Sequence, residues 1–331
     1  MSGFALCITW RLHAIIAVLR LLKIQTNSMN TPSLLMFLTF TGIFEPSAIQ
    51  QLSDGRFLVA EDEKEHPLTL VSIQADGAIR SVPLEVDAED AGKLDDLEGL
   101  TLDAKGYLYA ITSHSRNSKG EEKKSRNKLL RFRVEGNRMV SPVVVTGLKA
   151  ALASTHSPLV QATAVLDVKG DGGLNIEALE MAPDGQQLLI GFRSPLLDGK
   201  AILARLENPA AAFDAAAALR ISPELISLDL GGHGLRALSW IPALNAYLLI
   251  SGPVAREQVQ FRLWYWSGHP SATPRPIIVE GLAGFAHAEG ITPALLAGQQ
   301  KIVIVSDDGS RIEGRPAQLL ILDPQQIQIV P

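Results

Sequence analysis

The chain holds a single cysteine, Cys7, in 331 residues. No intramolecular disulfide can form, so an oxidising compartment leaves no mark on the sequence. An excess of basic charge is also missing. The net charge of −5 argues against a nucleic-acid partner, which needs a concentrated basic surface. The one dense basic stretch, SRNSKGEEKKSRNK at 115–128, carries glutamates of its own and reads as a solvated loop. Long apolar runs are lacking too. FALCITW and AIIAVLRLL near the start are interrupted by Arg11, His13 and Arg20. A spanning helix wants about 20 apolar residues with few charges, so no integral membrane span is favoured. The stretch also fits an export signal poorly. Residues 1–32 therefore read as an extension, with three alternatives open: an amphipathic or disordered arm, a degenerate export segment, or sequence upstream of a start at Met29. A cytoplasmic location is favoured, and an exported one follows if 1–32 direct export.

Familiar catalytic signatures are missing as well. There is no GxSxG, GxxxxGK[ST] or strand-linked GxGxxG. His66, His114, His156, His233, His269 and His287 are scattered without zinc spacing. DVKGDGG at 167–173 has no downstream glutamate of an EF-hand and reads as a turn. WYW at 264–266 reads as strand packing, with a stacking platform as the alternative.

What is present is a hairpin repeated five times. The copies are EPSAIQQLSDGRFLVAEDE from Glu45, EGLTLDAKGYLYAITSHS from Glu98, EALEMAPDGQQLLIGFRS from Glu177, RALSWIPALNAYLLISGP from Arg236 and EGITPALLAGQQKIVIVSDD from Glu289. Each has an opening charge, an apolar run, a turn rich in Asp, Gly, Asn or Pro, and a second apolar run ending in polar residues. Further strand material follows each copy, such as LTLVSIQ and IRSVPLEV after the first, and AQLLILD and QIQIVP after the fifth. Four antiparallel strands per unit make the blade of a β-propeller. The expected fold is all-β, a single domain over 33–331 with five blades, or six if 147–171 hides a degenerate one. GLKAALASTHSPLVQATAV at 147–165 suggests instead a helical insertion, and 208–225 a second short one. The unpartnered run LLMFLTFTG at 34–42 would complete the last blade and seal the ring.

Closing the ring brings distant charges together. The opening residue of one strand and the closing residue of its partner share an end of the sheet. That pairs Glu45 with Glu61, Glu98 with His114, Glu177 with Arg193, Arg236 with Gly252 and Glu289 with Ser306, Asp307 alongside. One mouth of the channel would then hold Glu45, Glu98, Glu177, Glu289 and Arg236, surrounded by Glu61, Asp62, Glu63, His114, Arg193, Asp307 and Asp308. Crowded carboxylates need a cation among them. Internal pairing is one solution, Glu177 with Arg193 and Glu289 with Arg236. A hard cation, Ca²⁺ or Mg²⁺, on Glu45, Glu98, Glu289 and Asp307 is another. A ligand without metal is a third, with Glu61, Asp62 and Asp308 in the site and Arg193 and Arg236 gripping an anionic group.

Four stretches carry a resemblance: EPSAIQQLSDGRFLVAEDEKEHPL, DDLEGLTLDAKGYLYAITSHSRNSKG, NIEALEMAPDGQQLLIGFRSPLLDGKAIL and the closing AEGIT with VSDDG. Together they resemble a bacterial family, the domain of unknown function 3616 family, over nearly all of 40–325. The resemblance implies a propeller-like fold with no established activity. DLEGL and VSDDG are also distantly similar to the family called esterase-like activity of phytase, which implies a metal-dependent ester or phosphoester hydrolase. On that analogy Glu98, Glu177 and Glu289 match the recurring acid. Ala178 departs from the glycine that usually follows it, and Arg236 stands where a further acid is expected. Under the hydrolase reading His114 and Glu177 are the candidate catalytic residues. The leading expectation is a scaffold binding a small charged ligand or a peptide loop. The hydrolase and a purely structural interaction propeller are the alternatives.

Overall fold

A computed structural model describes residues 35–61, 66–87, 89–254 and 261–331. Asp62, Glu63, Cys7 and the extension 1–32 lie outside the described residues. The unit Leu35–Pro331 is built of five antiparallel sheets. Blade one is Pro46–Gln51, Phe57–Glu61, Leu68–Ile73 and Ile79–Pro83. Blade two is Leu97–Leu102, Leu108–Thr112, Leu129–Glu135 and Arg138–Val145. Blade three is Asn175–Met181, Leu188–Ser194, Ala201–Leu206 and Ile226–Leu228. Blade four is Gly234–Ile241, Ala246–Gly252, Arg262–Trp266 and Arg275–Val279. Blade five is Ala288–Leu296, Gln299–Ser306, Gln318–Leu322 and, last, Met36–Thr39.

The run expected to seal the ring does so: Met36 pairs with Ile321 and Thr39 with Gln318. QIQIVP goes elsewhere than its place after the fifth copy suggests. Its strand Ile327–Ile329 crosses to blade four and pairs with Ile277–Val279, giving that sheet a fifth strand. The reason is local: blade five already has its outer strand, and the edge of blade four is open.

Burial follows the ring. Each sheet is apolar on both faces, and five separate apolar clusters fill the five seams. The seam between blades five and one, for example, holds Ile49, Val59, Val303 and Leu319. The seam between blades two and three holds Ile111, Ile176, Leu179 and Phe192. The insertion at 147–171 is helical, not a sixth blade. Helices Leu148–Thr155, Ser157–Ala164 and Val168–Asp171 bury Leu148, Leu152 and Leu159 in that same seam. A fourth helix, Pro209–Ala215, from the second insertion, packs against blade two at the same seam. Phe213 meets Tyr109 edge-on and Asp214 pairs with Arg131 at 2.6 Å. Trp264 and Trp266 are buried, their indole N–H groups bonded to Ser251 Oγ and the His269 carbonyl, so WYW is packing.

One irregularity recurs in every blade and decides where side chains point. The first hairpin of each sheet has a β-bulge, and the extra residue is Ser47, Glu98, Glu177, Arg236 or Glu289. A bulge re-aims its side chain out of the regular alternation. The next residue is small in all five: Ala48, Gly99, Ala178, Ala237 and Gly290. Here the inner strands approach one another around the axis. A Cβ on Gly99 would lie 2.8 Å from the Leu179 Cβ, and one on Gly290 only 3.0 Å from the Ala48 Cα. Ala178, the departure from the glycine pattern, is accommodated by Gly191 directly opposite it.

Candidate functional site

The bulges fix the true equivalence of the repeats. Ser47, not Glu45, is the counterpart of Glu98, Glu177, Arg236 and Glu289. Glu45 belongs to a second tier, two residues earlier, with Asp96, Asn175, Gly234 and His287. The register expected for blade one is thus two residues off: Glu61 is the counterpart of Thr112, not of His114. Both tiers open on one cavity of about 2300 Å³ at one end of the channel. It is lined by Glu45, Glu98, Glu177, Glu289, Arg193 and Arg236 together with Asp307 and Asp308. Distant charges of all five blades therefore do meet. Asp96, Asn175 and His287 also line it and escape a reading that starts each repeat at its charge. The signal for them is the offset of minus two in DLE, NIE and HAE.

Blades three and four carry a compact ion cluster. Arg236 lies between two carboxylates, 3.0 Å from Glu177 Oε2 and 2.8 Å from Glu289 Oε1. Arg193 donates to Glu177 Oε1 at 3.1 Å and to the Pro253 carbonyl at 3.0 Å. Asn175 Nδ2 donates to the same Glu177 oxygen at 2.7 Å. Burial opposes the Arg236 charge, but Glu177, Glu289 and Glu98 outweigh it and raise its pKa. Burial raises the Glu289 carboxyl, with Arg236 opposing and Glu177 and Asp307 adding to the rise. Both expected internal pairs form, and the two arginine forks are largely occupied.

The seam between blades five and one is different. Burial, and then the nearby Glu45 carboxylate, raise the Asp307 carboxyl, with His287 and Arg236 opposing. The Asp307 N–H is held by the His287 carbonyl at 2.7 Å, and Asp308 Oδ1 accepts from Gln318 N–H at 3.0 Å. Asp96 and His287 stand at φ of 61° and 57°, a region that disfavours side chains with a Cβ. Among the described residues no three acidic, histidine or cysteine side chains are gathered to hold a metal ion. The four acids expected to bind Ca²⁺ or Mg²⁺ share the cavity, and Glu289 among them is engaged by Arg236.

Two expected residues lie off the cavity. Glu61 is buried beside it, accepting from Phe44 N–H at 2.9 Å with Arg311 at 3.8 Å. His114 is fully buried behind the wall, and its Nδ1 meets the Thr112 carbonyl at 2.8 Å. Burial pulls its pKa down to about 4, so the ring is neutral at physiological pH and Nδ1 carries the proton. Its Nε2 has no hydrogen-bond partner among the described residues.

The opposite end of the channel is narrow, about 190 Å³, and bordered by Gln50, Thr101, Glu180 and Ser239. These residues, with Thr292, come three positions after each bulge. Glu180 accepts from Trp240 N–H at 2.8 Å and from Thr101 Oγ at 3.0 Å, so one side chain fastens blades two, three and four. Gln51 fastens blades one and five through the Leu295 N–H and carbonyl. No helix among the described residues is long and apolar enough to cross a membrane.

Comparison with curated proteins yields no match. Similarity to solved structures is found at low identity. One is an oxidoreductase proposed to be a glucose dehydrogenase from Thermus thermophilus, at 18% identity, 87% of this chain, 100% of that one and a TM-score of 0.45. Another is the PQQ-bound aldose sugar dehydrogenase of Streptomyces coelicolor, at 16%, 90%, 99% and 0.45. A third is the periplasmic gluconolactonase of Pseudomonas aeruginosa, at 14%, 83%, 70% and 0.39. At these scores they say nothing about activity. Residues 161–319, which span blade three, four strands of blade four and the first two strands of blade five, match the family described as Protein of unknown function (DUF3616), the same family that the sequence motifs resemble.

Proposed function

We propose that the wide mouth binds a small ligand through a positively charged group seated between Glu45 and Asp307. The observation that carries this reading is the uneven distribution of countercharge. Arg193 and Arg236 are consumed by Glu177 and Glu289. At the seam of blades five and one, Glu45 and Asp307 repel each other inside the same cavity. Asn175, on blade three, 5% exposed and lining the same cavity, keeps an Oδ1 with no hydrogen-bond partner among the described residues. A cation entering the seam relieves the repulsion and gains charge-assisted hydrogen bonds. An ammonium or guanidinium group is satisfied by two or three acceptors. A divalent ion such as Ca²⁺ needs about six oxygens, so the seam suits an organic cation better.

The test is calorimetric titration with spermidine, and in parallel with CaCl₂ and MgCl₂, on the wild-type chain and on Glu45→Gln/Asp307→Asn. Spermidine binding that the double variant loses supports the proposal. Equal binding by both proteins, or heat from the metals alone, overturns it.

A further inference from the structure

The mouth is not uniformly acidic. Its blade-two wall is the loop between Leu108–Thr112 and Leu129–Glu135, the same 115–128 stretch whose mixed charges read as a solvated surface. The fold sorts those charges. Lys119, Lys123, Arg116 and Arg126 line the cavity. Glu121 and Glu122 do not: Glu121 bonds Asn117 and Lys123, and Glu122 bonds Arg116 and Lys149. The loop is built to hold this arrangement. Asn117 Oδ1 accepts from both Lys119 and Glu121 N–H groups, at 3.0 and 2.9 Å. Arg116 donates to the Thr163 carbonyl of the helical insertion at 3.3 Å. Arg126 clamps Asp96 at 2.7 Å and Ser115 Oγ at 3.1 Å. Of the basic side chains at the mouth, the four arginines are thus committed, and Lys93, outside this loop, stands 3.5 Å from Asp95. What the wall offers a visitor is Lys119 and Lys123, with the Asn117 and Ser118 groups beside them. Lys123 is held by an exposed pair with Glu121 that is easily exchanged.

The cavity is also larger than one small cation requires. Sites for small molecules enclose roughly 300–1,000 Å³, against about 2300 Å³ here. An amine at the blade five–one seam would occupy one part of it, leaving room along the lysine wall of blade two, the neighbour of blade one.

We infer that the ligand is bipolar: a molecule whose amine reaches Glu45 and Asp307 while an oxyanion, phosphate or carboxylate, sits on Lys119 and Lys123. This rests on the reading of the seam above and adds the second subsite. The two subsites separate in one experiment. Affinities are measured by calorimetry at low salt for spermidine, inorganic phosphate, glucosamine 6-phosphate and the dipeptide lysyl-glutamate. They are measured on wild type and on Lys119→Ala/Lys123→Ala, whose exposed side chains leave folding intact. At least one bipolar probe is expected to bind about tenfold tighter than spermidine, as one charge-assisted bond implies. The double variant is expected to erase that advantage and leave spermidine unchanged. The better of glucosamine 6-phosphate and lysyl-glutamate identifies the oxyanion. Bipolar probes no tighter than spermidine, or an advantage that survives the lysine substitutions, overturns the second subsite while the seam stands. Phosphate binding without spermidine binding overturns both the bipolar ligand and the seam.

Discussion

The two ends of the central channel are made by the same five strands, three residues apart, and they behave as different materials. At the wide end three of the bulge residues, Glu177, Arg236 and Glu289, are joined in a salt-bridged cluster, and Glu45, Asp96, Asn175 and His287 line the cavity beside them. At the narrow end Thr101, Ser239 and Thr292 carry hydroxyls, and Glu180 and Gln51 spend their side chains on neighbouring blades. Three residues along a bulged strand is enough to turn a surface that can meet a ligand into a clasp that holds the ring. The difference does not come from composition. It comes from the bulge, which frees one side chain per blade from the sheet's alternation.

The sharpest way to break this contrast is to remove the centre of the ion cluster. Glu177→Ala leaves Arg193 and Arg236 buried with half their countercharge gone. Breaking a buried pair costs about 3–5 kcal/mol, so chemical denaturation should show a loss of that order, whereas Glu98→Gln should lose much less. Next in size is the close approach that follows each bulge. Gly290→Val forces a side chain against the Ala48 backbone and should cost roughly 1–3 kcal/mol. Ala237→Val is the comparison at a site that already tolerates a methyl group.

A third prediction concerns the narrow end and has a sign. Burial raises the Glu180 carboxyl to about 8. A carboxyl whose folded pKa lies above its unfolded value takes up a proton on folding, so stability falls as pH rises from the ordinary carboxylate range to about 8. Melting temperature followed from pH 5 to pH 8.5 should decline in the wild type and decline less in Glu180→Gln. The variant should be ahead at the alkaline end by roughly 2–5 °C. A flat wild-type profile would return Glu180 to an ordinary carboxylate. The smallest effect belongs to the wide end. Asp307 is raised, so spermidine should bind more tightly as pH rises through the range above normal carboxylates. Asp307→Asn should flatten that dependence while moving the melting temperature little.

The propeller was legible because a hairpin repeat with turn signals can close only a few ways, and the run at 34–42 had no hairpin partner of its own. The destination of Ile327–Ile329 was not legible. Alternation identifies a strand, but only the spatial neighbourhood says which edge is open. The convergence of Glu98, Glu177, Arg236 and Glu289 was readable from their identical place in the repeat. Blade one misled, because Ser47 carries no charge and Glu45, two residues earlier, stands in for one. The same habit of starting at the charge hid Asp96, Asn175 and His287. His114 was misplaced for a different reason. A polar residue ending a strand next to a mouth can face the mouth or its backing, and here the loop and helix Leu148–Thr155 cover it.

The strand Met36–Thr39 has a kinetic consequence. Its pairing with Gln318–Leu322 joins segments separated by nearly the whole domain, and contacts of such span are slow to form. The chain must therefore pass through an open arc before the circle shuts. Glu45, just before the first strand of blade one, and Asp307, just after the second strand of blade five, become neighbours only once that arc has shut.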